Sequence, residues 1–127
     1  MSFIWKIMSK KDIDIVKNIV IESLENLKTQ DIVIIDVSKK SNFTDFLFIG
    51  TGTSSTHIKA IGSEVTENIK KNGYGRFIKG VESNGEWILI DLFDVVVNIM
   101  LNETRDFYSL EKLWSSDSSY SSKSSIA

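Results

Sequence analysis

The sequence contains no cysteine and only one histidine, and these two scarcities remove several kinds of site. Without cysteine the chain can form no disulfide, no thiolate zinc site and no cysteine nucleophile. One histidine is too few for a multi-histidine metal centre. No apolar run approaches the roughly 20 residues of a membrane-spanning helix. We therefore expect a cytoplasmic protein with no metal, no cofactor and no membrane partner.

A basic excess is also lacking. The chain has 15 lysine and arginine residues against 17 aspartate and glutamate residues, for a formal net charge of -2. Neutralising the phosphates of a nucleic acid needs a clear basic excess, so direct, sequence-specific nucleic-acid binding is not expected. A length of 127 residues with 42% hydrophobic residues is typical of one soluble domain. Such a domain buries about two-thirds of the surface of its unfolded chain.

The first half of the chain predicts a helix, an antiparallel strand pair and a second helix. Asp12 is predicted to cap a helix over 12–28, because its apolar residues recur every three or four positions. The apolar segments 31–37 and 45–51 are predicted strands, and their short connection favours antiparallel pairing. Gly50 and Gly52 end the second strand, and Thr53 or Ser54 is expected to cap the following helix, which ends near Lys71.

The second half predicts three further strands and a closing helix. The strands are expected at 77–82, 87–91 and 95–100, with a hairpin turn at Asn84-Gly85. A strand, a helix and a strand in succession predict a crossover unit with parallel pairing. The fold class is therefore α/β, with a mixed sheet of about five strands flanked by helices in a single domain.

Domain boundaries follow from the composition of the two ends. Residues 1–11 are expected to be a flexible segment and 12–114 to be the folded domain. Residues 115–127 are rich in serine and poor in apolar side chains, so we expect a disordered tail.

Two features in the middle of the chain have both a functional and a purely structural interpretation. The glycine-containing loop at 50–55 precedes a helix, where backbone amides can bind phosphate. It lacks the third glycine of a dinucleotide loop and the Gly-Lys-Ser/Thr of a P-loop, so a tight turn with a helix cap is favoured. His57 has no identifiable catalytic partner in the sequence and is interpreted as a surface or capping residue.

Three aspartates at strand ends or turns are candidate magnesium ligands. Convergence of Asp36, Asp91 and Asp94 would allow metal-assisted nucleotidyl transfer. Asp91 and Asp94 are three residues apart across a turn, and no motif holds the third carboxylate. The competing interpretations are that Asp94 closes the turn through its side chain, or that Asp91 and Asp94 face a basic partner.

Large apolar residues surround the same turn. Trp87 is interpreted either as core beneath the second helix or as part of a binding surface. Leu92 and Phe93 fall between two aspartates, where polar residues or glycine are expected in a turn. An apolar pair at an exposed turn indicates an interaction patch.

The closing helix has one apolar stripe, which is expected to pack on the domain. Part of this helix, including Tyr108 to one side of the stripe, is alternatively a contact for a second copy or another partner. The stripe consists of Phe107, Leu110, Leu113 and Trp114. The positions expected to be solvated are Glu103, Arg105, Asp106, Glu111 and Lys112.

Several sequence blocks in order resemble one known family. The blocks are DIVIIDV and TDFLFIGTGTSSTHIKAI in the first half, then EWILIDLFDVVV and FYSLEKLW in the second. Together they cover about residues 12–114 and are similar to the Iojap, or ribosomal silencing factor, family. Members usually have glycine where this chain has Phe93, and often histidine where it has Asn98.

This resemblance implies a nucleotidyltransferase-like α/β fold without enzymatic activity. It implies binding to the large ribosomal subunit, through a basic ribosomal protein of the fourteenth universal family, and a steric block to joining of the small subunit. The acidic net charge fits a basic protein partner better than ribosomal RNA. The residues that the resemblance and the patch assign to this contact are Trp87, Asp91, Leu92, Phe93 and Asp94. Homodimers are common in the family, so Tyr108 and Trp114 are candidate contacts for a second copy or for the ribosome. The alternative function is an enzyme using magnesium at the three aspartates.

Overall fold

The structure is a computed structural model, and it describes residues 8–109, Lys112 and the backbone of residues 119–123. The elements alternate between helices and strands along the chain. They are α1 (Lys10–Asn26), β1 (Gln30–Asp36), β2 (Phe46–Gly52), α2 (Ser55–Lys71), a 3-10 turn (Gly75–Phe77), β3 (Gly80–Ser83), β4 (Trp87–Asp91), β5 (Val95–Leu101), α3 (Asn102–Tyr108) and β6 (Ser119–Lys123). Across residues 8–109, no helix is both long and apolar enough to cross a membrane.

The strands form one mixed sheet in the order β3-β4-β5-β2-β1-β6. Strand β2 is parallel to β5, and the other neighbouring pairs are antiparallel. The mixed α/β sheet and the antiparallel pairing of β1 with β2 are confirmed. The crossover through α2 does not place β3 beside β2, however, because β5 and β4 lie between them. The predicted strand over 77–82 is also shorter, since residues 75–77 form the 3-10 turn.

One face of the sheet carries the main core. Helices α1 and α2 cover this face, where α2 packs against β2, β4 and β5, and α1 packs against α2 and β5. Ile88 and Ile90 of β4 point to this side and are 4% and 0% exposed. Trp87 belongs instead to the opposite face, where it packs half-buried beside a second apolar cluster that includes Met100. The interpretation of Trp87 as core beneath the second helix is therefore wrong, because alternate residues of a strand point to opposite faces.

The N-terminal boundary lies earlier than the sequence indicates. Ser9, not Asp12, is the N-cap of α1. The Ser9 hydroxyl accepts a hydrogen bond from the Asp12 amide (3.1 Å), while the Asp12 carboxylate accepts one from the Ser9 amide (3.2 Å). Met8 is 2% exposed and contributes to the core. Residues 8–11 are thus part of the fold, because this capping box leaves the first turn hydrogen-bonded on both sides.

The C-terminal region also differs from its prediction. The backbone of residues 119–123 forms strand β6 and pairs with β1, so the expected disorder does not hold for these five residues. Backbone hydrogen bonds to a neighbouring strand do not require apolar side chains, which is why composition failed to indicate this strand. The rest of the tail, Leu110, Leu113 and Trp114 lie outside the described residues.

Helix α3 is shorter and differently oriented than its apolar stripe suggests. It ends at Tyr108, where Ser109 adopts a left-handed conformation (φ 51°). Phe107, expected to be packed, is 80% exposed, whereas Arg105, expected to be solvated, is 7% exposed. The reason is a pair of hydrogen bonds that bind the Arg105 guanidinium to the sheet, to the Asp31 carbonyl (2.7 Å) and the Thr51 hydroxyl (2.8 Å).

Candidate docking surface

Three aromatic side chains form a continuous patch on the face of the sheet opposite α1 and α2. The rings of Trp87 and Tyr108 are 4.8 Å apart between centroids, and those of Tyr108 and Phe107 are 5.0 Å apart. Exposure increases along this series, from half-buried Trp87 to Tyr108 at 53% and Phe107 at 80%. We call these three residues the aromatic ladder. Exposed aromatic groups held in fixed geometry are typical of a protein-binding surface.

Each end of the ladder is attached to the fold by polar contacts. The Trp87 indole N–H donates to the Oδ1 atom of Asn98, at 2.8 Å, and Asn98 is 2% exposed. Tyr108 and Phe107 extend from α3, which Arg105 ties to β1 and β2. The Thr104 hydroxyl donates to the Glu86 carboxylate at 3.2 Å and joins α3 to the β3–β4 turn. The ladder is therefore preorganised before any partner binds.

Carboxylates surround the ladder. A groove of about 260 Å³ at Trp87 and Leu89 includes Glu82. A second groove of about 310 Å³ at Phe107 and Tyr108 includes Glu86 and Glu103. Among the described residues that line these two grooves there is no lysine or arginine. An aromatic centre with an acidic rim is complementary to a basic protein surface.

The turn after β4 is built differently from the exposed patch that the sequence suggests. Leu92 is 0% exposed and lies in the main core, so the expectation of an exposed leucine is wrong. It is buried because it continues the alternation of Ile88 and Ile90 toward the helices. Phe93 is half-buried against the same core, and the Lys79 ammonium lies 5.6 Å from its ring.

Phe93 occupies a left-handed backbone conformation, with φ of 69°. The turn thus requires a positive φ, the conformation that glycine adopts most readily, and phenylalanine adopts it here. The Asp91 carboxylate compensates by accepting a hydrogen bond from the Phe93 amide at 2.9 Å. The Asp91 side chain therefore closes the turn through a hydrogen bond to its backbone. The Asp94 carbonyl accepts hydrogen bonds from the Asp45 and Phe46 amides.

The proposed patch residues are not one cluster. Trp87 and Asp91 point to the same face of β4, but they lie at its two ends, about 13 Å apart for four residues of extended chain. Leu92 points to the other face. The structure instead brings Trp87 together with Tyr108, and with Phe107, whose exposure the helical spacing did not predict. The adjacent pair Phe107-Tyr108, which cannot fully share one helix face, was the available signal.

The three aspartates do not assemble into a magnesium site. Asp91 and Asp36 lie near the same end of the sheet, but three strand spacings separate β4 from β1, about 14 Å. Within the part of the chain that the structure describes, no three carboxylate or histidine side chains are grouped to hold a metal. The Ser38 hydroxyl donates to the Asp36 carboxylate at 2.6 Å, and this bond lowers the pKa of Asp36 below its ordinary value.

The glycine-containing loop is explained by packing. A Cβ at Gly50 would lie 2.6 Å from a Thr29 methyl, and one at Gly52 would lie 2.7 Å from Ile58. Of the two predicted candidates, Thr53 and Ser54, it is Ser54 that forms the N-cap of α2. His57 accepts a hydrogen bond from the Thr53 amide at Nδ1 (2.9 Å) and donates from Nε2 to the Leu27 carbonyl (2.6 Å). Its place is therefore structural, between the α2 entry and the end of α1.

Comparison with known proteins gives a consistent family assignment. The family model described as "Ribosomal silencing factor during starvation" matches residues 10–126. A protein named ribosomal silencing factor RsfS from Haemophilus influenzae is 41% identical over 93 residues, which cover 73% of this chain and 91% of that protein. A mouse protein named mitochondrial assembly of ribosomal large subunit protein 1 is 32% identical over 84% of this chain, and the match covers 46% of the mouse protein.

The fold is shared with a solved structure of a protein from Chromobacterium violaceum. The two chains are 34% identical and superpose with a TM-score of 0.76, over 87% of this chain and 93% of the other. A second solved structure, from Bacillus halodurans, is 30% identical with a TM-score of 0.70, over 80% of this chain and 94% of that one.

Proposed function

Because the chain belongs to the ribosomal silencing factor family, we propose that it docks on the large ribosomal subunit and sterically blocks joining of the small subunit. The block needs no chemistry, since a folded domain at the intersubunit face occupies the space that the small subunit requires. Translation is thereby repressed in the cytoplasm. The name of the mouse relative, which refers to the ribosomal large subunit, supports the choice of subunit.

The observation that carries the proposal is the aromatic ladder with its acidic rim. Trp87, Tyr108 and Phe107 supply the large apolar groups on which a standard interface depends. The surrounding glutamates favour a basic ribosomal protein as the direct contact, and the family resemblance implies one of the fourteenth universal family. Asp91, on the same face of β4, extends the acidic region toward the turn.

The turn residues contribute less directly than Trp87 does. Buried Leu92 acts by holding β4 in place and not by contact with the partner. Phe93 and Asp94 are half-buried and lie at the edge of the docking area.

The first experiment compares two exposed phenylalanines. Phe107→Ala removes a ladder residue, and Phe43→Ala removes a phenylalanine that is 89% exposed in the β1–β2 connection, outside the ladder. We expect Phe107→Ala together with Tyr108→Ala to weaken binding by about 2 kcal/mol or more, roughly thirtyfold in Kd. Co-sedimentation with purified large subunits measures this loss, and Phe43→Ala is expected to bind like the wild type. Equal binding by the double variant and the wild type would exclude the aromatic ladder as the docking surface for the large subunit.

The second experiment tests the charge of the rim and the block itself. Glu86→Lys and Glu103→Lys are expected to slow association with the large subunit and to change its salt dependence. Light scattering of mixed subunits then measures joining, which the wild-type protein should suppress. Normal joining with saturating wild-type protein bound would refute the steric mechanism.

The aromatic ladder is also the candidate surface for a homodimer, in which a second copy of the chain would take the place of the ribosome. Tyr108 is the described candidate contact for a homodimer, and Trp114 remains a sequence-based candidate outside the described residues. Analytical ultracentrifugation of Tyr108→Ala separates the two roles, because a ladder used only for the ribosome leaves the oligomeric state unchanged.

A further inference from the structure

We infer that the outer edge of β3, together with the adjacent side of α2, binds an extended acidic peptide segment of a partner protein by adding it to the sheet as a further strand. This site lies on the side of β3 that faces α2, whereas the aromatic ladder lies on the other face of the sheet. Ser83 lines both this groove and the groove beside Trp87.

The first support is the hydrogen-bonding pattern of β3. Within the described residues this strand pairs only with β4. The Asn84 amide donates to the Trp87 carbonyl, so these two residues form the hydrogen-bonded pair next to the turn. Hydrogen-bonded and non-hydrogen-bonded pairs alternate along an antiparallel ladder, which leaves Val81 and Ser83 in non-hydrogen-bonded pairs. The N–H and C=O groups of both residues thus point away from β4, at the two-residue spacing that an added strand needs.

The second support is a groove of about 280 Å³ between α2 and β3. Ile78, Val81 and Ile88 give it an apolar floor. Val81 is 48% exposed, which is unusual for a valine that points to the helix-covered side of the sheet. Gly62 lets α2 approach β4 closely, since a Cβ there would lie 3.0 Å from Ile88. The groove therefore offers apolar contact to side chains of a strand laid along β3.

The third support is charge. Lys59 and Lys70 line the groove, both exposed, and none of its described lining residues is acidic. Eleven residues of helix place their Cα atoms about 16 Å apart, too far for one small anion to contact both. Two acidic side chains four residues apart in an extended peptide are about 13 Å apart, a span that flexible lysines can match. No aromatic side chain lines the groove among the described residues, so it lacks the stacking surface that single-stranded RNA uses.

The test uses the full chain and a defined probe. The probe is an N-acetylated, C-amidated peptide, Thr-Glu-Thr-Val-Thr-Glu-Thr, and its counterpart has lysine in place of both glutamates. Amide hydrogen exchange and NMR chemical shifts report binding at single residues. We expect the acidic peptide to protect the Val81 and Ser83 amides at millimolar concentration, and the lysine peptide to have no effect. Absence of this protection, equal protection by the lysine peptide, or displacement by inorganic phosphate or by an oligouridine of similar length would overturn the proposal.

Two matched variants on α2 test the charge. Lys70→Glu changes a residue that lines the groove, and Lys71→Glu changes its exposed neighbour, which does not line it. Both positions are exposed, so neither change disturbs the core. Lys70→Glu is expected to weaken peptide binding about two- to fivefold, the scale of one exposed ion pair, and Lys71→Glu to leave it unchanged. Equal effects of the two changes would refute the assigned groove.

A third variant tests the backbone. Val81→Pro removes one outward N–H without removing a bond to β4, as proline in an edge strand allows. It should abolish protection of the Ser83 amide by the peptide, whereas Val81→Thr, which keeps the N–H, should retain it. Binding of the peptide to a folded Val81→Pro protein at wild-type strength would contradict strand addition.

Discussion

The two faces of β4 differ in burial, although their residues alternate within a strand of five. Ile88 and Ile90 face α1 and α2 and are no more than 4% exposed. Trp87 and Asp91 point to the opposite face. There the Trp87 indole is held by one hydrogen bond to buried Asn98 and by contact with the Tyr108 ring. The helix-covered face maximises apolar contact, whereas the opposite face keeps aromatic surface accessible and fixes it with a few directional bonds. If the proposed docking surface is correct, substitutions on the helix-covered face of β4 should change mainly stability, and those on the opposite face should also change partner binding.

The largest expected effect comes from the end of the helix-covered face. Leu92→Ala should lower the free energy of unfolding by about 2–5 kcal/mol, the range for a fully buried leucine, because it leaves a cavity in the main core. Urea unfolding measures the loss. Docking on large subunits, measured at a temperature where the variant is folded, should change little. Little loss of stability together with weakened docking would mean that Leu92 contacts the partner, which contradicts its assignment to the helix-covered face.

A smaller effect is expected from Trp87→Phe on the opposite face. This change keeps an aromatic ring beside Tyr108 but removes the N–H that satisfies Asn98 Oδ1. An unsatisfied buried carbonyl oxygen costs about 1–3 kcal/mol, so the melting temperature should fall. Trp87→Phe combined with Asn98→Ala should recover part of the loss, since the oxygen is then absent. No loss in the single variant would mean that the indole is held by ring contacts alone.

The turn between β4 and β5 allows a comparison of two substitutions at one position. Phe93→Gly and Phe93→Ala remove the same ring, but only alanine retains the cost of the left-handed conformation. Phe93→Gly should therefore be more stable than Phe93→Ala by about 1 kcal/mol, the cost of such a backbone position. Chemical denaturation of the two variants measures this difference. A more stable alanine variant would indicate that the turn rearranges to a negative φ.

The smallest expected effect concerns Asp36, at the end of β1. The Ser38 hydroxyl lowers the pKa of Asp36, so Ser38→Ala should raise that pKa toward its ordinary value of 3.8. A lowered pKa in the folded state stabilises the protein above the unfolded pKa, and this stabilisation is lost as the pH falls through the folded pKa. The free energy of unfolding of the Ser38→Ala variant should thus depend less on pH below about 4 than that of the wild type. An NMR titration of the Asp36 carboxyl carbon tests the shift, and an unchanged pKa would assign it to the Ser38 backbone amide, Lys17 and Lys39 instead.

Sequence reasoning located β1, β2, β4 and β5 well, gave β3 different bounds, missed β6, and predicted the exposed residues poorly. The bounds of β4, 87–91, were predicted as they stand, because a short apolar run between two turn signals is a local property. The cap of α2 was narrowed to Thr53 or Ser54 for the same reason, and the structure selects Ser54. The position of β3 at the far edge was not predicted, since the pairing of β2 with β5 joins residues about 50 positions apart in the chain.

The candidate site shows the same division. Trp87 and Tyr108 were identified from residue type and family resemblance, but their contact depends on where α3 packs. That packing is decided by Arg105, whose partners Thr51 and Asp31 are 54 and 74 residues away. No local pattern distinguishes such an arginine from a solvated one.

By itself the sequence determined the α/β class, the positions of most elements and the absence of cysteine chemistry, because these depend on composition and on contacts between near neighbours. Only the tertiary structure decided that Leu92 is core, that Phe107 is exposed and that Arg105 is buried. Burial depends on which groups surround a residue in space. Leu92 lies in the core that the helices cover, and Phe107 faces the solvent. Arg105 is bound to β1 and β2, which precede it by more than 50 residues in the chain.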